Sequence, residues 1–335
     1  MSLIVLYAAV RRMRGMEKRR LGNTGYQITP IGLGAWAIGG GGWAFGWGPQ
    51  DDKESIAAIH RAIDLGINWI DTAAVYGLGH SEEIVARALA ELPQWRRPLV
   101  FTKCSLVWNE KGKVSHSLKP KSLRAELDAS LQRLGMDVID LYQIHWPAFG
   151  EASKNHDAPG LEEAWQTLAD TKKEGKVRAI GVSNFTASQM ERIRSIAPIA
   201  TLQPSYSILS RGVEDETLPY CGAHDIGVIV YSPMKSGLLS GTMTRERIAA
   251  MPQNDWRRYH KDFTEPKLTE NLTIVEKLRT IGKYHNCSPG EVAIAWTLNH
   301  PAVTAAIVGA RRPEQVDGFI GAAELGLTPE EIAKI

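Results

Sequence analysis

Four residues suited to acid–base work stand at or just beyond the ends of short apolar runs. Asp71 closes "NWID", and Tyr76 follows it in a glycine-rich loop. Lys103 closes "LVFTK" and His145 closes "VIDLYQIH". A free tyrosine keeps its proton to about pH 10, which makes it a poor acid near neutrality. A nearby ammonium favours the phenolate and lowers that value. Lys103 would supply the charge, and Asp71 would keep the lysine charged and oriented despite burial. Tyr76 then becomes a usable proton donor, with a neutral His145 holding a carbonyl oxygen beside it. Taken singly, each residue has a plainer explanation: loop packing, a solvated strand end, a satisfied core histidine, a turn cap. Their joint placement is what points to chemistry.

For these groups to meet, the chain must gather strand ends. Eight β-type runs are visible: "IGLGAW", "NWID", "LVFTK", "VIDLYQIH", "RAIGVS", "ATLQ", "GVIVY" and "TAAIVG". Amphipathic helical patterns separate most of them. "DDKESIAAIHRAIDLG" offers aspartates for a cap, Ile56, Ile59 and Ile63 on one face, and Gly66 as a stop. "KPKSLRAELDASLQRLG" repeats the design with Leu123, Leu127, Leu131 and Leu134, and "LEEAWQTLADTKKEG" does so with Leu161, Trp165 and Leu168. Strands alternating with helices imply a parallel sheet. Eight of them without a long linker predict a single-domain α/β fold, the (β/α)₈ barrel, in which catalytic groups lie at the C-terminal strand ends.

A doubly wound sheet is the rival, favoured by Gly32, Gly34 and Ala37, which fit a G-x-G-x-x-A dinucleotide pattern. That motif must open a helix. Here "IGGGGWAFGWGPQ" follows, so the match reads as chance.

Composition narrows the function. The 39 basic and 37 acidic residues nearly cancel and form no block, which argues against nucleic acid or an anionic membrane as partner. Three cysteines, Cys104, Cys221 and Cys287, are far apart, as in a reducing cytoplasm. The nine histidines form no metal-binding helical pair, and no metal is expected. Leu3–Val10 is apolar but too short to span a bilayer, and its basic cluster follows rather than precedes it. Residues 1–15 therefore read as a disordered or artificially appended extension, with the barrel over 16–335.

From Lys18 onward the chain resembles the aldo-keto reductases. "GINWIDTAAVYGLGHSEE" is similar to that family's first signature, "LVFTK" to its lysine strand and "IDLYQIHWP" to its histidine strand. The resemblance implies a catalytic tetrad of Asp71, Tyr76, Lys103 and His145. It also implies hydride transfer between NADP(H) and an aldehyde or ketone, with Tyr76 as proton donor and NAD(H) as a weaker alternative cofactor. A sugar-derived aldehyde is among the substrates it admits.

Further implied positions hold the cofactor. Ser183, Asn184 and Gln203 would bind the nicotinamide carboxamide, and Tyr231 would stack on its ring. The segment Ser232, Pro233, Met234, Gly237 and Leu239 would embrace the pyrophosphate, and Gly309, Arg311 and Gln315 the adenosine end, with Arg311 reading the 2′-phosphate. Two departures concern this cofactor site: Thr242 stands where relatives commonly carry lysine, and Gly318–Phe319 replace a Glu-Asn pair.

Five tryptophans, Trp36, Trp43, Trp47, Trp108 and Trp146, fall at the same mouth as an apolar funnel for the small-molecule carbonyl. The short tail after "LTPEEIAKI" predicts an open, permissive site. The competing reading is a cofactor-binding regulatory subunit of the potassium-channel β type, in which sensing outweighs turnover. The sequence sets no oligomeric state.

Overall fold

The computed structural model describes residues 16–149, 158–253 and 255–335. The expectation for residues 1–15 lies outside them. Eight parallel strands close into a barrel: β1 (Ile31–Gly34), β2 (Trp69–Asp71), β3 (Leu99–Cys104), β4 (Ile139–Ile144), β5 (Val177–Ser183), β6 (Thr201–Gln203), β7 (Gly227–Tyr231) and β8 (Ala305–Gly309). Each pairs with its neighbours in sequence, and β8 returns to β1 with Ala306 opposite Ile31. All eight expected runs become barrel strands, and the doubly wound sheet is excluded.

The helices between the strands form where the apolar periodicity places them. In α1 (Asp52–Asp64) the Asp51 carboxylate accepts from the Glu54 amide, and Ile56 and Ile59 are buried against the barrel. After α2 (His80–Ala90), α3 (Pro120–Leu134) buries Leu123, Leu127 and Leu134 and ends at Gly135, whose left-handed φ of 61° suits a residue without Cβ. In α4 (Leu161–Lys173) Leu161, Trp165 and Leu168 face inward.

The alternation of side chains along each strand divides the barrel interior into two levels. The lower level is apolar, with Trp69, Phe101, Leu141, Ala179 and Ile229 packed together. Two residues further along the same strands, the inward positions become Asp71, Lys103, Gln143, Gly181 and Tyr231. Thus one period-2 face makes a solid plug below and a polar floor above.

The dinucleotide-like glycines serve this plug. A Cβ on Gly32 would lie 2.2 Å from the Trp69 ring, and one on Gly34 would lie 2.7 Å from an Ile307 methyl. A short 3₁₀ turn, Ala37–Gly39, follows them in place of the helix a Rossmann motif needs.

Two hairpins were not foreseen. Arg19–Arg20 pairs with Gln27–Ile28, and its Leu21 and Ile28 close the bottom of the plug. Leu106–Trp108 pairs with Val114–His116 just beyond β3. Strands of two or three residues carry too little alternation to be read. At the other end of the chain, the helix Pro329–Lys334 folds back onto the helix Lys267–His285, where Glu331 Oε1 accepts from His285 Nε2 at 2.7 Å. No helix of the described residues is long and apolar enough to cross a membrane.

Candidate active site

The polar floor brings Asp71, Tyr76, Lys103 and His145 together. Lys103 Nζ donates to Asp71 Oδ1 at 2.6 Å, to the Thr72 carbonyl at 2.9 Å and to the Tyr76 hydroxyl at 3.2 Å. The other Asp71 oxygen accepts from Gln203 Nε2 at 2.8 Å. The tyrosine is fixed by its backbone: the turn Tyr76–Gly79 packs on Gly39, and a Cβ on Gly77 would sit 2.2 Å from the Gly39 carbonyl. Only glycine allows that approach at the observed φ of 62°. The Tyr76 ring then meets the edge of His145 at 5.7 Å between centroids.

Burial governs the electrostatics. It pulls the Asp71 carboxyl up and the Lys103 ammonium down, and each charge partly offsets the other's shift. Tyr76 is pushed well above its ordinary value, first by burial and then by the Asp71 carboxylate and Tyr231. This corrects the lowering expected from the lysine alone. The aspartate that orients the lysine also opposes a phenolate nearby, so the resting group is a fully protonated phenol. Burial, with Lys103 adding to it, pushes His145 well below its usual range and leaves the imidazole neutral.

Around this core the other expected residues form a belt. Ser183 Oγ donates to the Gln203 carbonyl at 2.8 Å. Asn184, at a left-handed φ of 62°, donates to the His145 carbonyl and to Ser183 Oγ at 3.0 Å each. Its Oδ1 accepts from the Tyr231 hydroxyl at 2.8 Å. Beyond Tyr231 the chain takes positive φ at Ser232, Lys235, Ser236 and Gly237, around Pro233 and Met234. Leu239 is fully buried beneath this loop, so it contributes backbone rather than side chain to the mouth. Gly309 ends β8, and the Gln315 side chain accepts from the Arg311 amide at 2.7 Å.

Arg311 is engaged within the chain. Its guanidinium donates to the Gln50 side chain and to the Pro49 carbonyl, with a longer bond to the Trp47 carbonyl. It thereby holds the loop after β1. Arg312 beside it is exposed. At the departure Thr242, Arg247 donates to the threonine hydroxyl at 2.8 Å, so positive charge stands near that position without the lysine.

The tryptophans divide. Trp36 and Trp43 lie 4.9 and 6.1 Å from the Tyr76 ring, and Phe45, Trp146 and Phe149 complete the apolar wall. Trp47 instead lies under the Arg257 guanidinium at 4.6 Å, and Trp108 lies beside Arg133 at 5.8 Å. With Trp36 and Trp43 over it, Tyr76 is only 5% exposed. The loop after β1 supplies this cover.

Sequence reasoning missed Phe45, Phe149 and Gln143. The last was findable: a glutamine between Leu141 and His145 on the inward face must lie on the barrel floor.

This barrel, with a lysine joining a buried aspartate to a tyrosine at its mouth, belongs to the aldo/keto reductase family, whose sequence profile matches residues 30–335. Members of that family are oxidoreductases that use nicotinamide cofactors. The chain is 37% identical over 305 residues to the aldo-keto reductase YhdN of Bacillus subtilis, covering 91% of this chain and 88% of that one. It is 36% identical over 324 residues to the NADH-specific methylglyoxal reductase of Escherichia coli, covering 93% and 95%. Among solved structures, the glycerol dehydrogenase AKR11B4 from Gluconobacter oxydans superposes with a TM-score of 0.83 at 38% identity, covering 94% of this chain and 92% of that one.

Proposed function

We propose that the protein reduces small aldehydes and ketones with a nicotinamide dinucleotide, Tyr76 protonating the carbonyl oxygen. The observation that carries this reading is the single ammonium of Lys103 bonded to both Asp71 and Tyr76 on the barrel floor. The phenol gives its proton to the oxygen, and the adjacent ammonium stabilises the phenolate left behind. Neutral His145 presents an N–H to the same oxygen and orients the carbonyl without competing as an acid. Trp36, Trp43 and Phe45 exclude water from the reacting atoms.

The residues present fit the dinucleotide. Tyr231 offers an aromatic face at a strand end, Ser183, Asn184 and Gln203 offer amide and hydroxyl partners, and the left-handed turns after Tyr231 make a concave backbone of the kind that binds anions. The Trp47 indole N–H is buried without a partner among the described residues, a donor left for a ligand. When bound, the cofactor supplies the hydride to the carbonyl carbon. In the oxidative direction Tyr76 takes the proton back from the alcohol.

NADP(H) is the preferred form in this reading, with NAD(H) bound more weakly. The support is a cluster of three guanidiniums: burial first, then Arg257 and Arg312, depress Arg311, with Glu54 and Asp255 partly offsetting them, and Arg257 is itself paired with Asp255 at 2.7 Å. Extra phosphate would relieve that repulsion. Because Arg311 holds the loop, Arg311→Ala should weaken both nucleotides alike. Arg312→Ala should weaken NADPH about tenfold or more and spare NADH, since a charge-assisted bond contributes about 1.5–3 kcal/mol. Fluorescence titration of both nucleotides separates these outcomes; equal weakening by Arg312→Ala would remove the phosphate assignment. The unpaired cysteines agree with a cytoplasmic setting.

The direct test is a panel of carbonyls with NADPH and with NADH, following nicotinamide absorbance. The panel should include small aromatic aldehydes and methylglyoxal, with glycerol for the reverse direction, because relatives are named for the last two. Turnover of small aldehydes is expected. Tight nucleotide binding with no turnover across the panel would instead indicate a binding subunit.

A further inference from the structure

The floor of the site is held by a second tier of bonds that none of the expected residues explains. Two residues beyond Lys103, Ser105 is fully buried at a left-handed φ of 81°, a conformation that L-residues other than Asn and Asp seldom adopt. Its amide donates to Glu126 Oε2 at 2.8 Å, a side chain reaching across from α3. Its hydroxyl bonds to the residue after His145, donating to the Trp146 carbonyl at 3.2 Å and lying 3.3 Å from the Trp146 amide. Between them, the His145 amide donates to the Cys104 carbonyl at 3.0 Å. One carboxylate thus fixes a strained turn, and that turn ties the ends of β3 and β4 together.

We infer that Glu126 and Ser105 are positioning residues that hold Lys103 and His145 in register for proton transfer. The inference rests on the reductase reading of the site. Neither side chain reaches the reacting atoms. Their effect passes through backbone: Glu126 sets the turn that ends the lysine strand, and Ser105 carries that setting to the histidine strand.

The charge state of Glu126 supports the assignment. Burial pushes its carboxyl up to about 7, with the bonds from Ser122 and Ser105 and the Arg133 guanidinium holding it back. The other ionisable groups facing it are Cys104 on β3 and Tyr142 on β4, both driven well upward by burial, and Glu82 on α2, which is paired with Arg133 at 2.7 Å. An acid raised from its ordinary 4.5 to about 7 stabilises the fold least when ionised: the stability is present below the ordinary value and lost as pH rises toward 7. A carboxylate kept here at a loss of stability calls for a functional reason. Its charge strengthens the bond from the Ser105 amide.

The test uses Glu126→Gln, which keeps shape and an acceptor oxygen but cannot ionise. At pH 8 its melting temperature should equal or exceed that of the wild type, while kcat falls on the order of tenfold, since small misplacements of catalytic groups change rates by up to about 10². Nucleotide affinity should change far less than kcat, because the altered turn meets the cofactor belt only through the Asn184 bond to the His145 carbonyl. Wild-type kcat should rise as Glu126 ionises near pH 7, and the variant, which cannot ionise there, should lack that rise.

Ser105→Gly is the second variant. It relieves the left-handed backbone and removes the hydroxyl link to Trp146, so kcat should fall with no loss of melting temperature. Unchanged kcat in both variants overturns the inference, and so does a fall of kcat that only accompanies a fall of stability. A wild type that reduces no carbonyl is a separate result: it removes the reductase reading, and this inference with it.

Discussion

Tyr76→Phe should lower kcat for carbonyl reduction by about 10²–10⁴-fold, the usual contribution of a general acid. Nucleotide affinity and stability should stay close to those of the wild type. The structure separates these effects because the hydroxyl's bond is to Lys103, and the ring is held by Trp36, Trp43 and His145. Without the hydroxyl, Lys103 still donates to Asp71 and to the Thr72 carbonyl, so no buried charge is stranded. Retention of more than a tenth of the wild-type kcat would remove Tyr76 as the proton donor.

The second large effect is on stability. Asp71→Asn replaces a buried carboxylate by a neutral amide of equal size and leaves the Lys103 ammonium without its counter-charge. Removing one partner of a buried ion pair destabilises by about 3–5 kcal/mol. The loss should depend on pH. Burial already lowers the Lys103 pKa, and Asp71 is the main influence opposing that shift. In the variant the lysine should titrate lower still, so the unfolded chain binds the additional proton and stability rises with pH. Urea unfolding at pH 6 and pH 9 should show the larger deficit at pH 6. An equal deficit at both values, or none, would mean that the ion pair is not the term that matters.

The barrel was legible because its eight strand runs are separated by helices whose apolar faces recur at helical spacing. The candidate cluster was legible for the same geometric reason. Asp71, Lys103 and His145 lie at strand ends on the inward phase of the alternation, so placing the strands places the residues. Burial does not show in a local pattern, and this is where the reading of Tyr76 turned over. A lysine neighbour suggested a lowered pKa, but burial first, then Asp71 and Tyr231, raise it.

Long-range partners were likewise hidden. Arg311 meets Gln50 across 261 positions of sequence, and nothing near either residue announces the bond. The hairpins at 19–28 and 106–116 were too short for alternation to show. Nothing in the sequence set Glu126 apart from the other polar positions of its helix, and its bond to Ser105 appeared only once α3 was packed against β3.

The account stands most directly on where the hydride goes. Reduced nicotinamide nucleotide carrying deuterium on the transferring face of C4 should be incubated with the wild-type protein and a small aldehyde. The alcohol is then examined by mass spectrometry and proton NMR. The structure predicts one deuterium on the carbinol carbon, with the hydroxyl proton drawn from solvent through Tyr76 and no label at other positions. Alcohol that forms without deuterium at that carbon, or nucleotide that binds and is never oxidised by any aldehyde, would contradict it.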